Sequence, residues 1–237
     1  MNSKSYRSLF LSISMMLIII AFSGCRNNTS GESDDQKSTN KYIDLYLRYL
    51  EKEKQAKITA TFYELEDSNS RKPIEDQKKI WFQGRAIDPI PGDYKPGAYQ
   101  LDLESVQPDE FEFMLEVSKN KTERLLLDLK KKNRPEVTGF SLFSGLEINL
   151  SSLPLLENQN LVVIVSDKNG TASSMEVKGP FKGQAILSST NFSTLIPGES
   201  EIYLVWKGRS KERIGGFTAE IDLEYYFDKL TFTLSDK

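Results

Sequence analysis

The sequence has no histidine. That removes the Ser-His-Asp and Cys-His constellations and every zinc motif built on imidazole. It has one cysteine, Cys25, so no disulfide can form within the chain and any packed core must hold without one. Glycine-rich phosphate loops are missing, as is the Asp-x-Asp-x-Asp-Gly pattern of a calcium loop. Gly139-Phe140-Ser141 lacks the rest of a nucleophile elbow. No cofactor or metal motif is left. A basic surplus is lacking too. The formal charge of −3 becomes −5 once a leader carrying Lys4 and Arg7 is removed. Nucleic acid is therefore not an expected partner, since its binding needs a basic footprint. The apolar stretch Leu9 to Phe22, about 14 residues, falls short of a membrane span.

That stretch follows Lys4 and Arg7 and ends at Phe22-Ser23-Gly24-Cys25. A basic n-region before a short apolar h-region reads as a secretory signal. The four residues ending in Cys25 resemble a lipobox, the cleavage site of bacterial lipoproteins. The resemblance implies that residues 1–24 are a lipoprotein signal peptide and that Cys25 becomes a lipid-bearing N-terminus, with acyl chains such as palmitate. It also implies a location in the cell envelope, at the outer membrane. An ordinary signal peptide with a chance cysteine, or an uncleaved anchor, is the alternative. Each buried methylene contributes about 0.8 kcal/mol, so two or more chains anchor stably where one does not.

Residues 25–41 are rich in Ser, Asn, Asp and Lys and nearly free of large apolar side chains. They cannot bury enough apolar surface to offset their ordering entropy, which predicts a flexible tether. Within it, Ser33, Asp34 and Asp35 resemble the acidic export signals that send some lipoproteins to the outer face of the outer membrane. The surface and the periplasmic face both stay open.

Beyond the tether, the dominant signal is period-two alternation. It appears in Phe111/Phe113/Leu115/Val117, Leu125/Leu127/Leu129, Ile202/Leu204/Trp206, Ile221/Leu223/Tyr225 and Leu230/Phe232/Leu234. Successive strand side chains point to opposite faces, so each run buries one face and wets the other. Turn residues separate the runs at Pro91-Gly92-Asp93, Lys168-Asn169-Gly170, Pro197-Gly198 and Gly215-Gly216. An all-β protein of roughly a dozen strands follows. The stretch from Ile43 to Leu50 fits either a helical stripe or a strand. Ile58, Ala60 and Phe62 form a clear strand after it, which favours a hairpin.

The charged segment Lys130 to Pro135 interrupts the alternation and reads as a solvated linker. It sets two tandem β-sandwich domains, 42–132 and 136–237, with a single sandwich of about 14 strands as the alternative. Expected core residues are Ile58, Phe62, Trp81 and Leu101 in the first and Val163, Leu204, Trp206 and Leu223 in the second. Gly97-Ala98-Tyr99-Gln100-Leu101 resembles the tyrosine corner of immunoglobulin-like domains, where a Tyr hydroxyl fastens a loop to the backbone. Leu101 stands where antibody domains carry a cysteine. As a whole, the chain resembles envelope lipoproteins built from tandem immunoglobulin-like domains, a group that implies location and fold and not an activity.

Few residues carry a chemical signal. The Ser-x-x-Lys matches Ser38–Lys41 and Ser118–Lys121 lack their partner motifs. Asp109, Glu110 and Glu112 alternate with Phe111 and Phe113, as solvated strand residues do. These carboxylates are the candidates for a glycosidase pair, and with Asp102 or Glu104 for a calcium site. Trp81, Phe82 and Tyr225-Tyr226-Phe227 suit either buried packing or stacking on a ligand. The expected function is a non-catalytic binding, adhesion or spacer module. Its partners are the membrane, through the lipid, and an envelope protein or glycan. The alternative is a carboxylate-dependent glycan hydrolase.

Overall fold

Why the chain builds sheets is visible in its first described element. The computed structural model describes residues 40–66, 70–74, 79–90, 97–107 and 110–235. Cys25, Ser33, Asp34, Asp35, Ser38, Asp109 and the Pro91-Gly92-Asp93 turn lie outside the described residues. Strand β1 (Lys41–Leu50) buries Ile43, Leu45, Leu47 and Tyr49 in strict alternation. It forms an antiparallel hairpin with β2 (Gln55–Leu65), which buries Ile58, Ala60 and Phe62. The strand reading of 43–50 holds.

The chain continues through β3 (Arg71–Pro73), β4 (Ile80–Phe82), β5 (Arg85–Ala86), β6 (Asp88–Pro89) and β7 (Ala98–Leu103). Then come β8 (Glu110–Ser118), β9 (Lys121–Asp128), β10 (Glu136–Ser141) and β11 (Gly145–Asn149). After them stand β12 (Gln159–Asp167), β13 (Ala172–Lys178) and β14 (Gln184–Leu187), with one 3-10 turn at Ser189–Phe192. Last are β15 (Gly198–Ile214), β16 (Phe217–Tyr226) and β17 (Leu230–Leu234). The protein is all-β.

One ten-stranded sheet runs β13-β12-β15-β16-β1-β2-β7-β6, with β17 on β15 and β3 on β2. A four-stranded sheet, β5-β4-β8-β9, and a three-stranded sheet, β10-β11-β14, complete the fold. The inward rows of all three sheets contribute to one buried apolar cluster. Two small sheets in tandem thus share one large one.

Strand pairing does not stop at the boundary expected near Lys130–Pro135. That segment carries no strand, but β1 pairs in parallel with β16, from Tyr42↔Thr218 to Leu50↔Tyr226. Strand β15 explains how. Its residues 200–208 pair with β12, while residues 205–214 pair with β16, beside β1. The β15–β16 turn ends against the four-stranded sheet. A Cβ on Gly215 would lie 2.2 Å from Val117 Cγ1, and Gly215 N–H donates to Glu123 Oε2 at 2.6 Å. Both Gly215 and Gly216 have positive φ, 58° and 79°, as a two-residue hairpin turn that matches strand twist requires.

The linker is not fully solvated either. Leu129 is buried, Lys130 pairs with Glu110 at 2.8 Å, and the Lys132 ammonium lies 4.3 Å from the Trp206 ring centroid. Burial holds the Lys132 amine below its ordinary pKa. Of the expected core, Ile58, Phe62, Val163, Leu204, Trp206 and Leu223 are buried. Trp81 is only half-buried, because its neighbours Ile80 and Phe82 take the inward positions, and Leu101 is only half-buried although it packs against the core on the same face as Tyr99 and Leu103.

The Lys168-Asn169-Gly170 turn is held by a buried carboxylate. Asp167 Oδ1 accepts from Asn169 N at 2.9 Å and Thr171 N at 3.0 Å, and Oδ2 accepts from Ile196 N at 3.2 Å. Burial alone would raise this carboxyl, but the three amide donors and Lys168 outweigh it and hold its pKa below the usual range. Its contribution to stability is therefore present above the unfolded-state pKa of about 3.9 and is lost as pH falls through the lower, folded-state value. Asp167→Asn is expected to lower the melting temperature at pH 7 and to leave the variant and the parent closer together at pH 2–3. A constant gap across that range in thermal melts would refute the assignment.

Candidate binding face

The outward rows of the large sheet carry the densest polar arrangement on the protein. On β15, Lys207, Arg209 and Lys211 face Glu224, Asp222 and Glu220 of β16 in register. The three ion pairs close at 2.8, 2.7 and 2.9 Å. Across β16, the β1 residues Asp44, Tyr46 and Arg48 stand beside Glu220, Asp222 and Glu224. Across β1, Thr61, Thr59 and Lys57 of β2 complete these rows. One transverse line therefore reads Lys207, Glu224, Arg48, Lys57 and, on β7, Asp102.

Glu224 is the hub. Tyr46 Oη donates to its Oε2 at 2.7 Å, Tyr226 Oη donates to the same oxygen at 2.9 Å, and Lys207 Nζ lies 2.8 Å from Oε1. Burial pushes this carboxyl up, but the Lys207, Tyr46 and Tyr226 donors more than offset that and hold its pKa below the ordinary range. Burial, then the bond to Glu224, pushes the Tyr46 phenol well above its ordinary range. A second cluster closes the far end. Tyr42 stacks on Tyr63 with centroids 5.4 Å apart, and the Arg71 guanidinium lies 4.4 Å from the Tyr63 ring while reaching Asp44 at 2.7 Å.

Two open troughs of about 470 and 730 Å³ cross this face and share Tyr46, Asn158, Arg209 and Asp222. The Asn158 amide, from the loop before β12, donates to the Arg209 carbonyl and fixes the rim. With strands about 4.8 Å apart and same-face residues about 6.8 Å apart, the face measures on the order of 20 Å each way. That is about half of the ~800 Å² that one partner gives to a standard interface, so the face alone suits a small, reversible contact. Chemically, it offers paired charges, hydroxyls and amides in a fixed grid.

Of the residues singled out by sequence, Tyr226 and Asp102 belong to this face and Glu104 to its end, and the others lie elsewhere. Glu110 pairs with Lys130 at 2.8 Å and Glu112 with Arg124 at 3.1 Å, on the four-stranded sheet. Asp102 accepts from Gln100 Nε2 at 2.9 Å, and Glu104 is exposed just beyond β7. Ser118 pairs with Lys121 across the β8–β9 turn as a register irregularity, and Ser118 is exposed. Among the described residues no group of three or more Asp, Glu, Cys or His is placed to hold a metal. Phe82, Tyr225 and Phe227 are buried, whereas Trp81 is half-buried beside Tyr99 and Pro89 at the edge of the four-stranded sheet.

Tyr99 packs edge-on against Phe62, with centroids 5.5 Å apart. A second tyrosine fastens a loop to the backbone: the Tyr49 hydroxyl donates to the Val106 carbonyl at 3.1 Å. This candidate face has little signature in the sequence. Its only signal was the alternation of Lys207, Arg209 and Lys211 against Glu220, Asp222 and Glu224 around the Gly215-Gly216 turn, which pairs opposite charges in a hairpin.

No protein-family model matches this chain, and no curated protein matches it. Among solved structures, it is similar to the tetra-tandem repeat in the extending region of a large adhesion protein. The TM-score is 0.31 and the identity 11%, covering 83% of this chain and 50% of that one. The chain thus spans half the length of that solved structure.

Proposed function

We propose that this protein is a lipid-anchored envelope protein, held at the outer membrane through Cys25, whose β-sandwich body is a non-catalytic binding, adhesion or spacer module. The observation that carries the binding reading is the polar face. An outer sheet surface needs only to be wet, yet this one orders three ion-paired rows with tyrosine and threonine rows beside them. Exposed ion pairs contribute only about 0–1 kcal/mol each, so stability alone is a weak reason for such a grid. A complementary partner is a better one, because charge patterning sets specificity and encounter rate.

The test exchanges one pair. Arg209→Asp with Asp222→Arg keeps the ion pair and inverts the pattern. The double variant is expected to melt near the parent temperature and to lose capture of envelope components by the detergent-solubilised chain. Undiminished capture would remove the face from the function.

Anchoring is tested separately. Metabolic labelling with a radioactive fatty acid is expected to mark the wild type and not Cys25→Ser, which should accumulate as a larger precursor. An unlabelled wild type would sink the lipoprotein reading. Protease added to intact cells then distinguishes surface from periplasmic display. Shaving that is lost when Asp34 and Asp35 become Ala would assign them, with Ser33, as the export signal.

A further inference from the structure

The transverse line Lys207–Glu224–Arg48–Lys57–Asp102 contains an anomaly. Arg48 and Lys57 are direct cross-strand partners of like charge. Like charges directly opposite in a sheet are destabilising. The carboxylates beside them, Glu224 across from Arg48 and Asp102 across from Lys57, close no ion pair with either. Glu224 is taken by Lys207, Tyr46 and Tyr226, and Asp102 accepts from Gln100. Among the described residues neither Arg48 nor Lys57 has an ion pair. The guanidinium of Arg48 lies 5.7 Å from the Tyr226 ring centroid, and its Nε is buried with no hydrogen-bond partner. A buried donor left unmade is costly, and a donor on a charged group more so.

Both cations line a cleft of about 150 Å³ at the β1–β2–β7 end of the face. Leu50 and Gln55 form its wall toward the β1–β2 turn, and Asp102 and Glu104 stand on the β7 side. The like-charged pair and a cleft open to solvent coincide in one place, with the unpartnered Nε buried on the same Arg48 side chain.

We propose that this cleft takes one carboxylate side chain from an acidic polypeptide segment of the partner. The carboxylate would sit between Arg48 and Lys57, accepting from guanidinium and ammonium together, with its methylene stem against Leu50. Charge-assisted bonds of this kind are the strong ones, and a guanidinium suits a carboxylate geometrically. The small volume and the Leu50 wall favour an aliphatic side chain over a bulky, hydroxylated sugar ring. Asp102 and Glu104 bar a second carboxylate, so the site reads a single acidic residue. This inference rests on the reading of the sheet face as a binding surface and names the chemistry at one end of it.

The experiment titrates hexaglutamate into the detergent-solubilised full chain at low ionic strength and follows the Arg48 and Lys57 side-chain resonances. Hexaglutamine is the neutral control, and an oligogalacturonate supplies the same carboxylate on a glycan. Hexaglutamate is expected to shift both resonances, with affinity falling about tenfold in Arg48→Gln and in Lys57→Gln. Lys168→Gln, on the distant β12–β13 turn, should bind as the parent does. Lys57→Gln should also melt higher than the parent without peptide, since it removes the like-charge pair, and Asp102→Asn should bind a few-fold tighter.

Parent-like binding in both cation variants would overturn the site, as would equal loss in Lys168→Gln. Tighter binding of the oligogalacturonate than of hexaglutamate would overturn the peptide assignment. Loss of envelope capture in the Arg209/Asp222 exchange with hexaglutamate binding intact would leave this site standing while locating the partner's main contact on the ion-paired rows.

Discussion

Phe62→Ala is expected to unfold the strands on both sides of the 130–135 segment together. Phe62 is fully buried on β2, with its ring edge-on to Tyr99 of β7 and to Phe217 of β16, each with centroids 5.5 Å apart. Removing such a ring costs about 3–5 kcal/mol through lost burial and the cavity left behind. Against a total stability of about 5–15 kcal/mol, that is a large share. The spread of the damage follows from topology. Phe217 begins the strand that pairs with β1 on one edge and β15 on the other, and β15 pairs onward with β12. Hydrogen exchange should therefore show protection falling in β1, β2 and β7 and also in β12, β15 and β16. Loss confined to residues 40–128 would mean that the halves unfold independently despite the shared sheet, and the cooperative reading would fail.

The same contact marks what sequence could and could not supply. Alternation at Ile43–Tyr49, Phe111–Leu115 and Ile202–Trp206 was legible because the inward face needs an apolar residue at every second position. Turns at Lys168-Asn169-Gly170 and Gly215-Gly216 were legible because their φ values demand those residues. Partner choice was not. Nothing local in Tyr42–Leu50 announces that its parallel neighbour lies some 176 residues away at Thr218–Tyr226. The Lys130–Pro135 segment looked solvated because a Lys ammonium over an indole ring reads, in sequence, like any other charge. The polar face was hidden for the same reason. Glu224 depends on residues 46, 207 and 226, and only the assembled register brings them to one carboxylate.

Trp81 and Leu101 show the complementary error. Both are large and apolar, yet Trp81 lies on the outward phase between buried Ile80 and Phe82, while Leu101 shares the inward phase of Tyr99 and Leu103 and is only partly covered. Residue type set both expectations; phase decided the outcome at Trp81, and incomplete cover decided it at Leu101. Tyr49 and Tyr99 differ in a related way. The glycine before Tyr99 suggests a corner there, whereas Tyr49, whose hydroxyl reaches the Val106 carbonyl, carries no such signature in sequence.

Gly145→Ala is expected to be among the most damaging single-methyl additions in the protein, and Gly216→Ala separates its two causes. Gly145 opens β11 with φ +89°, a region that L side chains rarely adopt. An added Cβ would lie 2.1 Å from the Leu187 carbonyl oxygen and 3.0 Å from Ser189 N. Both are backbone atoms beside the Leu146↔Leu187 pairing of β11 with β14, so relief requires moving a paired strand and not a side-chain tip. Backbone strain contributes on the order of 1–3 kcal/mol, and displacing the strand adds to it. Gly216 has φ +79° and open space where its Cβ would stand. Its alanine variant carries strain without the collision and should lose only about 1–2 kcal/mol. Denaturant titration of both variants decides the matter. A clearly larger loss at position 145, with exchange protection falling first in β10, β11 and β14, supports the close approach of the Leu187 carbonyl as the main cause of the damage. Equal losses would reduce both glycines to their backbone conformation alone.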